Sequence, residues 1–422
     1  MSTATPLRTA EIVAVGSELL GSTRLDTNSL YIAERLARLG IELRAKAVVG
    51  DNRDDLAALF RQALTRADLI VLTGGLGPTD DDITREVVAD VLGLPLDIDE
   101  RIVEQIAARF AGRKMQMPEI NRRQAHVPRG AVVLANANGT APGLLISHER
   151  RLVALLPGPP REMQPMIERL CEGAFAERAS GERLYRATLF VAGRSESYVE
   201  QLAQPLYAEW RRRTPAISTT ILAAPGQIEF HLTVRDSDER SGRSAVDAAR
   251  DELHRVLGED VFSTDGRSME EVVGAMLRDR GYRIAAAESC TGGQLTSRLT
   301  DVPGSSAYVY GALVAYSNDV KVRDLGVARD VLDTHGAVSE PVALAMIEGL
   351  RRTTPADVAV VITGIAGPDG GTPAKPVGTV VIAVQVPSQP IFVRTYSFLG
   401  NRAMVKFQSS QTALDRVRRL LQ

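Results

Sequence analysis

The chain has 422 residues, a formal net charge of −2 and 24% charged residues. That length calls for two or three domains, and the near-neutral balance offers no general attraction to nucleic acid or an acidic membrane surface. Two cysteines, Cys171 and Cys290, and five scattered histidines make no disulfide framework, and no pair sits at metal-ligand spacing.

Aromatics are only 5% of the chain, and its apolar residues are mostly Ala, Val, Leu and Ile. That composition favours α/β layers over an aromatic-rich binding module. The opening "MSTATPLRTAEIVAVG" has no apolar core of leader length, and no uninterrupted apolar run is long enough to span a bilayer. The expected setting is a reducing cytoplasm, with no membrane partner.

In chain order, "AEIVAVG" reads as a buried strand ending at Gly16, "TNSLYIAERLARLG" as a helix stopped by Gly40, and "IELRAKAVVG" as a strand. "RDDLAALFRQALTRA" follows as a helix and "DLIVLTGG" as a third strand. Strands alternating with helices over 10–172 predict a mostly parallel sheet covered on both faces. Ligands of such sheets sit at the carboxyl ends of the strands.

Residues 173–265 read differently. "RLYRATLFVAG" is a strand, "SESYVEQLAQPLYAEW" a helix, "AISTTILA" and "GQIEFHLTVRD" a hairpin, and "SAVDAARDELHRVLG" a helix. This is a small α+β segment without the Gly-x-x-Gly loop that clamps nucleic acid, so a spacer or interaction surface is expected. "VFSTDGRSMEE" reads as a linker. The α/β pattern then resumes, with strands in "YRIAAAES", "AYVYGALVAYS", "DVAVVITGIAG", "GTVVIAVQV" and "IFVRTYSF" and helices at 269–280, 292–300, 318–325, 339–352 and 402–421. The expected fold class is therefore α/β: two three-layer α/β domains, 1–172 and 266–422, joined by a small α+β domain, 173–265.

"TGGLGPTDDDIT" sets Gly74, Gly75 and Gly77 before Asp80, Asp81 and Asp82. Carboxylates are favourable at a helix start in themselves, which accounts for one or two of them. Three beside a phosphate-type glycine turn repel one another unless a cation intervenes, and magnesium-class ions bind through a few carboxylates plus substrate phosphates. Ser17, Glu18, Asp26, Asn28 and Asp51 fall at other strand or helix ends of the same sheet edge. The coherent reading is metal-assisted attack on a phosphoanhydride.

"AESCTGG" (287–293) places Ser289, Cys290 and Thr291 where a strand yields to a helix. The N–H groups of Thr291, Gly292 and Gly293 suit an oxyanion hole or a bound phosphate equally well. A serine nucleophile needs a base. His335 lies in what reads as an ordinary loop, so the better partners are Tyr316, at the end of "VAY", and Lys321, in the first turn of the next helix. The ordinary fates of these residues are a half-buried strand aromatic and a surface lysine. Cys290 has no histidine to activate it, and a buried free thiol is its default. Thr291 is expected as an N-cap. "ADLIVLTGGLGPTD" and "ADVAVVITGIAGPD" echo one another across the chain. They read either as two tight strand-to-helix turns or as two backbone cradles for an anion.

With "GSELL", "DTN", "GGLGPT", "NGTAPG" and "LPGPPREM" in the first segment, and "AESCTGG", "PGSS", "YSNDVK", "GAVSE", "TGIAGP" and "KPVGTV" in the last, the chain resembles the CinA family of competence- and damage-inducible proteins over nearly its whole length. The resemblance implies a molybdopterin-binding-like ADP-ribose pyrophosphatase domain, dependent on a divalent metal of the Mg, Mn or Co class and helped by potassium. It implies a KH-like middle domain and a C-terminal amidohydrolase that needs no cofactor and converts nicotinamide mononucleotide to nicotinate mononucleotide and ammonia. It implies catalysis by Ser289 with Tyr316 and Lys321, and substrate contacts from Thr291, Gly292, Gly293, Asn318, Thr363, Gly364 and Arg402. In the first domain it implies contacts from Asn28, Gly74, Gly75, Thr79 and Arg123, metal ligation by Asp80, Asp81 and Asp82, and by analogy a homodimer. Two positions depart from the family pattern: Asn401 stands where an aspartate is expected, and Arg123 where a lysine is usual. The alternatives are a molybdopterin-type adenylyl transferase, or a non-enzymatic interaction protein in DNA uptake or recombination.

Overall fold

A computed structural model describes residues 5–422, so residues 1–4 of the expected first domain and of the opening segment lie outside the described residues. By its contacts the chain divides into two units: the chain through Tyr185 together with Arg235–Gly242, and Arg186–Val234 together with Arg243–Gln422. Most of the segment expected as a middle domain thus groups with the C-terminal residues.

The first unit opens with β1 (Thr9–Val15), α1 (Asn28–Arg38), β2 (Glu42–Val49), α2 (Arg53–Arg66), β3 (Leu69–Thr73) and α3 (Thr84–Leu92). There follow β4 (Leu96–Ile98), α4 (Glu100–Ala111), β5 (His126–Pro128), β6 (Val132–Leu134), β7 (Gly143–His148), β8 (Arg151–Leu156) and α5 (Pro160–Glu172). The main sheet has the order β2-β1-β3-β8-β7-β6. Its first four strands are parallel, and β7 and β6 are antiparallel additions. Alternation along β1 and β3 feeds two cores: Ala10, Ile12, Leu69 and Val71 pack on one face, Val13, Val15, Ile70 and Leu72 on the other. A sheet covered on both faces needs apolar residues at every position of its central strands. That is why β3 is buried throughout.

β9 (Arg183–Ala192), α6 (Glu196–Trp210), β10 (Ile217–Ala224), β11 (Gln227–Asp236), α7 (Glu239–Leu257) and β12 (Val261–Ser263) come next. Their sheet runs β10-β11-β9-β12. The hairpin turns at Pro225-Gly226, where Gly226 has φ +75°, a conformation that glycine adopts without steric cost. "VFS", read from sequence as linker, is the strand β12 paired antiparallel with β9. A three-residue strand is too short to show a period, so only its partner reveals it.

The remaining elements are α8 (Met269–Arg280), β13 (Ile284–Glu288), α9 (Gln294–Thr300), β14 (Val309–Val314), α10 (Asn318–Leu325), α11 (Arg329–His335), α12 (Glu340–Thr353), β15 (Val358–Gly364), β16 (Thr379–Gln385), β17 (Phe392–Ser397) and α13 (Arg402–Leu421). The sheet order is β14-β13-β15-β16-β17, with the first three strands parallel and the last two antiparallel. α8 begins on a complete capping box, Ser268 with Glu271, and ends on left-handed Gly281. His335, expected in a loop, closes the short helix α11. The two echoed turns also part company. The first leads toward a helix, whereas β15 runs on to the antiparallel strand β16, so the second is no strand-to-helix turn.

Gly349 lets α12 press against the end of α10, because a Cβ there would stand 1.8 Å from the Leu325 carbonyl oxygen. Backbone cannot rotate away as a side chain can. Gly349→Ala therefore loses about 1–3 kcal/mol to overpacking, against a gain of roughly 1 kcal/mol in helix propensity. A net loss in denaturant unfolding is the expected result; an unchanged midpoint would mean that α10 gives way freely.

Candidate active sites

The parallel strands β13, β14 and β15 bring three loops to one carboxyl edge. Ser289 follows β13 directly, and its N–H still donates to the Ile362 carbonyl of β15 at 2.8 Å. β14 ends at Val314, so Tyr316 lies beyond the strand rather than at its end. Ser317 then caps α10, its hydroxyl accepting from the Val320 N–H, and the helix carries Lys321 back under the strand ends. Asn318 opens the same helix and is exposed.

Lys321 is 1% exposed, and its Nζ lies 3.2 Å from Ser289 Oγ, 2.8 Å from the Ala315 carbonyl and 3.3 Å from the Tyr316 carbonyl. Burial pushes the amine below its ordinary value of 10.5, with the neighbouring Cys290 opposing. A neutral amine has two N–H groups and one lone pair. Two carbonyl acceptors take the two N–H groups, which leaves the lone pair for the serine proton.

Glu288, the carboxylate next to Ser289 in the chain, does not pair with this lysine. Glu288 is fully buried, and it accepts from the N–H groups of Gly293 (3.1 Å), Leu295 (3.0 Å) and Thr296 (2.9 Å) and from the Thr296 hydroxyl (2.7 Å). It therefore satisfies the start of α9, where partial positive charge collects. Sequence reasoning passed over Glu288, although an acid just before a helix-opening Gly-Gly was the available signal. It also corrects two expectations. Thr291 does not cap α9 with its side chain, since the N-cap is Gly293 and the Thr291 hydroxyl is buried without a partner. Of the three N–H groups expected to face an anion, that of Gly293 goes to Glu288 and that of Gly292 to the Ser289 carbonyl. Only the Thr291 N–H has no acceptor among the described residues.

Tyr316 is 59% exposed, and its hydroxyl accepts from Arg402 at 3.0 Å, while Arg402 also donates to the Gly367 carbonyl at 2.8 Å. The tyrosine thus meets Lys321 through its carbonyl, and its hydroxyl joins Arg402. Asn401 caps α13, its side chain accepting from the Met404 N–H, and Arg402 takes its orientation from Gly367 and Tyr316 instead. Thr363 donates to the Ala337 carbonyl at 2.8 Å. At Gly364 a Cβ would stand 3.0 Å from Cys290 Sγ, so the glycine admits the buried thiol. Burial pushes that thiol up to about 12, which removes it as a nucleophile at neutral pH. Beside Ser289 lies a cavity of about 620 Å³ lined by Thr291, Gly292, Gly293, Gln294, Ser297, Arg402, Ala403 and Lys406. Lys406 was missed in the sequence, though it sits one helical turn from Arg402 on α13.

In the first unit, the β3–α3 turn carries "GGLGPTDDD". Gly74 (φ +108°) and Gly75 (φ +64°) admit no side chain, since a Cβ would meet the Val15 carbonyl oxygen at 2.1 Å and Thr84 Oγ1 at 2.3 Å. Arg85, fully buried, clamps the turn from within by donating to the Leu76 and Gly77 carbonyls at 2.9 and 3.0 Å. Its burial works against the charge. Sequence gave no hint of it, because a buried and an exposed arginine look alike there. Asn28 ties β3 to the "LPGPP" turn, donating to Thr73 Oγ1 at 3.1 Å and the Gly158 carbonyl at 2.7 Å.

The three aspartates separate. Asp80 is fully exposed and paired with Arg123 at 2.8 Å, and Arg123 also reaches the Thr79 carbonyl at 3.1 Å. Asp82 accepts from the N–H and hydroxyl of Thr79. Only Asp81 and Asp82 line the cleft of about 400 Å³ that the glycine turn borders, together with Glu18, Asp51 and Glu162. The expected trio beside the glycines is thus a pair, helped by carboxylates that follow β1 and β2 and by one in the first turn of α5. Among the described residues no three carboxylate, histidine or cysteine side chains stand close enough to hold a metal by themselves. The donor set fits a hard cation completed by oxygens of a bound phosphate, which is how magnesium-class ions bind. Among the described residues no helix is long and apolar enough to cross a membrane.

Residues 11–177 match the family model described as "Probable molybdopterin binding domain", and residues 266–421 match "CinA C-terminal domain". Together these domains define an enzyme of the hydrolase or transferase kind. A CinA-like protein of Koribacter versatilis (strain Ellin345) is 44% identical over 416 residues, 98% of this chain and 99% of that protein. A second CinA-like protein, from Solibacter usitatus (strain Ellin6076), is 42% identical over 410 residues, 97% of each. The crystal structure of the competence/damage inducible protein CihA from Agrobacterium tumefaciens is 35% identical, covering 37% of this chain and 98% of that one, with a TM-score of 0.35. This chain belongs to the CinA-like family.

Proposed function

We propose that the chain is a pyridine-nucleotide hydrolase with two active sites, the C-terminal one deamidating nicotinamide mononucleotide. The observation that carries this reading is Lys321 Nζ at 3.2 Å from Ser289 Oγ, with its other hydrogen-bonding capacity spent on backbone carbonyls. Ser289 Oγ attacks the carboxamide carbon as Lys321 takes its proton. The oxyanion forms against the Thr291 N–H. The Lys321 proton passes to the departing nitrogen, ammonia leaves, and an acyl ester remains on Ser289. Water, deprotonated by the same amine, hydrolyses the ester to the carboxylate and restores the serine. Arg402 and Lys406 carry the positive charge of the adjoining cavity and suit the phosphate of the nucleotide.

The N-terminal cleft is proposed to cleave ADP-ribose to AMP and ribose 5-phosphate. Asp81 and Asp82, with help from Glu18 or Asp51, would hold a divalent cation. Bound there, such a cation would supply charge neutralisation for the phosphates and a lowered pKa for an attacking water. The glycine turn and Arg85 keep the backbone close to the phosphates. Incubating the protein with each substrate separately, with and without a chelator, tests both assignments. AMP is expected only with metal, and ammonia in both conditions. Transfer of an adenylyl group to an acceptor without release of ribose 5-phosphate would replace the hydrolase reading of the first site with a transferase.

A further inference from the structure

Next to the acidic cleft, between the end of α4 and the start of α5, lies a smaller cavity of about 180 Å³. We propose that its three arginines, Arg109, Arg113 and Arg161, form a phosphate pocket that receives a phosphomonoester carried by the molecule in the cleft. The two cavities share Thr140 and Glu162 as walls. At that volume the smaller one falls below the roughly 300–1,000 Å³ of a complete small-molecule site. It therefore suits one group of a ligand whose remainder lies elsewhere.

Its three positive charges face a single carboxylate, Glu162, among the lining residues. Arg109 is anchored by donating to the Asn136 and Ala137 carbonyls at 3.2 and 2.7 Å. Neither Arg113 nor Arg161 has a side-chain hydrogen bond or salt bridge among the described residues. The carboxylate on the wall, Glu162, already accepts from Asn136 at 2.8 Å. Arg109 and Arg113 sit at or just past the end of α4, where cations are favourable, so helix electrostatics alone explain two of the three. Arg161 is in the first turn of α5, the positive end, where a cation is unfavourable. Three guanidinium groups, from α4, from the turn just past it and from α5, converge on one concavity and repel one another until an anion enters. A tetrahedral phosphate matches the donor fork of arginine.

The molecule favoured is a nucleoside diphosphate derivative with a further phosphate on its sugar. Using an adenine nucleotide as probe rests on the hydrolase reading above. The test is calorimetric titration with AMP and with adenosine 2′,5′-bisphosphate, magnesium present, for the native protein and the Arg113→Ala/Arg161→Ala double variant. Both substitutions are on exposed side chains. The native protein is expected to bind the bisphosphate at least about tenfold more tightly than AMP, and the double variant to lose that preference while its AMP affinity changes by less than about twofold. ADP-ribose cleavage measured alongside separates the two ideas: a preference lost in the double variant supports the pocket even where cleavage fails. No preference in the native protein, or one that survives both substitutions and so belongs to the Arg402 and Lys406 cavity, overturns the proposal.

Discussion

Lys321→Arg is expected to abolish ammonia release, with a loss of at least about a thousandfold. Arginine keeps the positive charge but cannot be deprotonated in the working range, so a lysine that merely attracted the phosphate would survive the exchange. The sign of the pH dependence follows from the burial of Lys321. Its pKa is displaced below the ordinary 10.5, and the neutral amine is the active form. Activity should therefore rise with pH through the depressed value and level off above it. The same displacement makes folding stability rise with pH between the depressed value and 10.5, because there the unfolded chain binds more protons. Ser289→Ala should match Lys321→Arg, and the double variant should be no worse, since a nucleophile and its base act as one unit. A Lys321→Arg enzyme with normal turnover would remove lysine as the base and turn attention to Tyr316.

Asp81→Asn is expected to cut metal-dependent AMP release by about a hundredfold or more while leaving ammonia release unchanged. Asp81 is the better choice because it lines the cleft without a salt bridge among the described residues. Asp82, by contrast, also holds the N–H and hydroxyl of Thr79. Asp82→Asn would mix a loosened turn with a lost ligand, and its thermal stability should fall further than that of Asp81→Asn, whose carboxyl is held below its ordinary value chiefly by the Thr79 hydroxyl. Asp80→Asn should be nearly silent, because that carboxylate faces Arg123 and solvent. Full AMP release by folded Asp81→Asn would take this carboxylate out of the mechanism.

Much of the fold follows from local pattern. Buried runs such as "LIVLT" and "VAVVITG" declare central strands because every residue must be apolar when both faces are covered. Helix limits were legible where capping residues act on their own neighbours, as at Ser268 with Glu271 and at Gly326. β12 and α11 were not legible, since each is too short for a period and exists through its packing. The motif loops could be placed at strand ends because glycine turns follow strands in the sequence itself.

By itself, then, the sequence determined the layered α/β elements, the glycine turns, and that Ser289, Lys321 and the aspartates stand near carboxyl edges. Tertiary structure decided which side chain meets which. It set Lys321 under Ser289, spent Glu288 on the start of α9, turned the Tyr316 hydroxyl to Arg402, gave Asp80 to Arg123 and buried Arg85 beneath its turn. The physical reason is one of range. Backbone periodicity and capping are interactions between residues a few positions apart, whereas a hydrogen-bond partner and a degree of burial depend on elements tens of residues away, brought together only when the sheet closes its register.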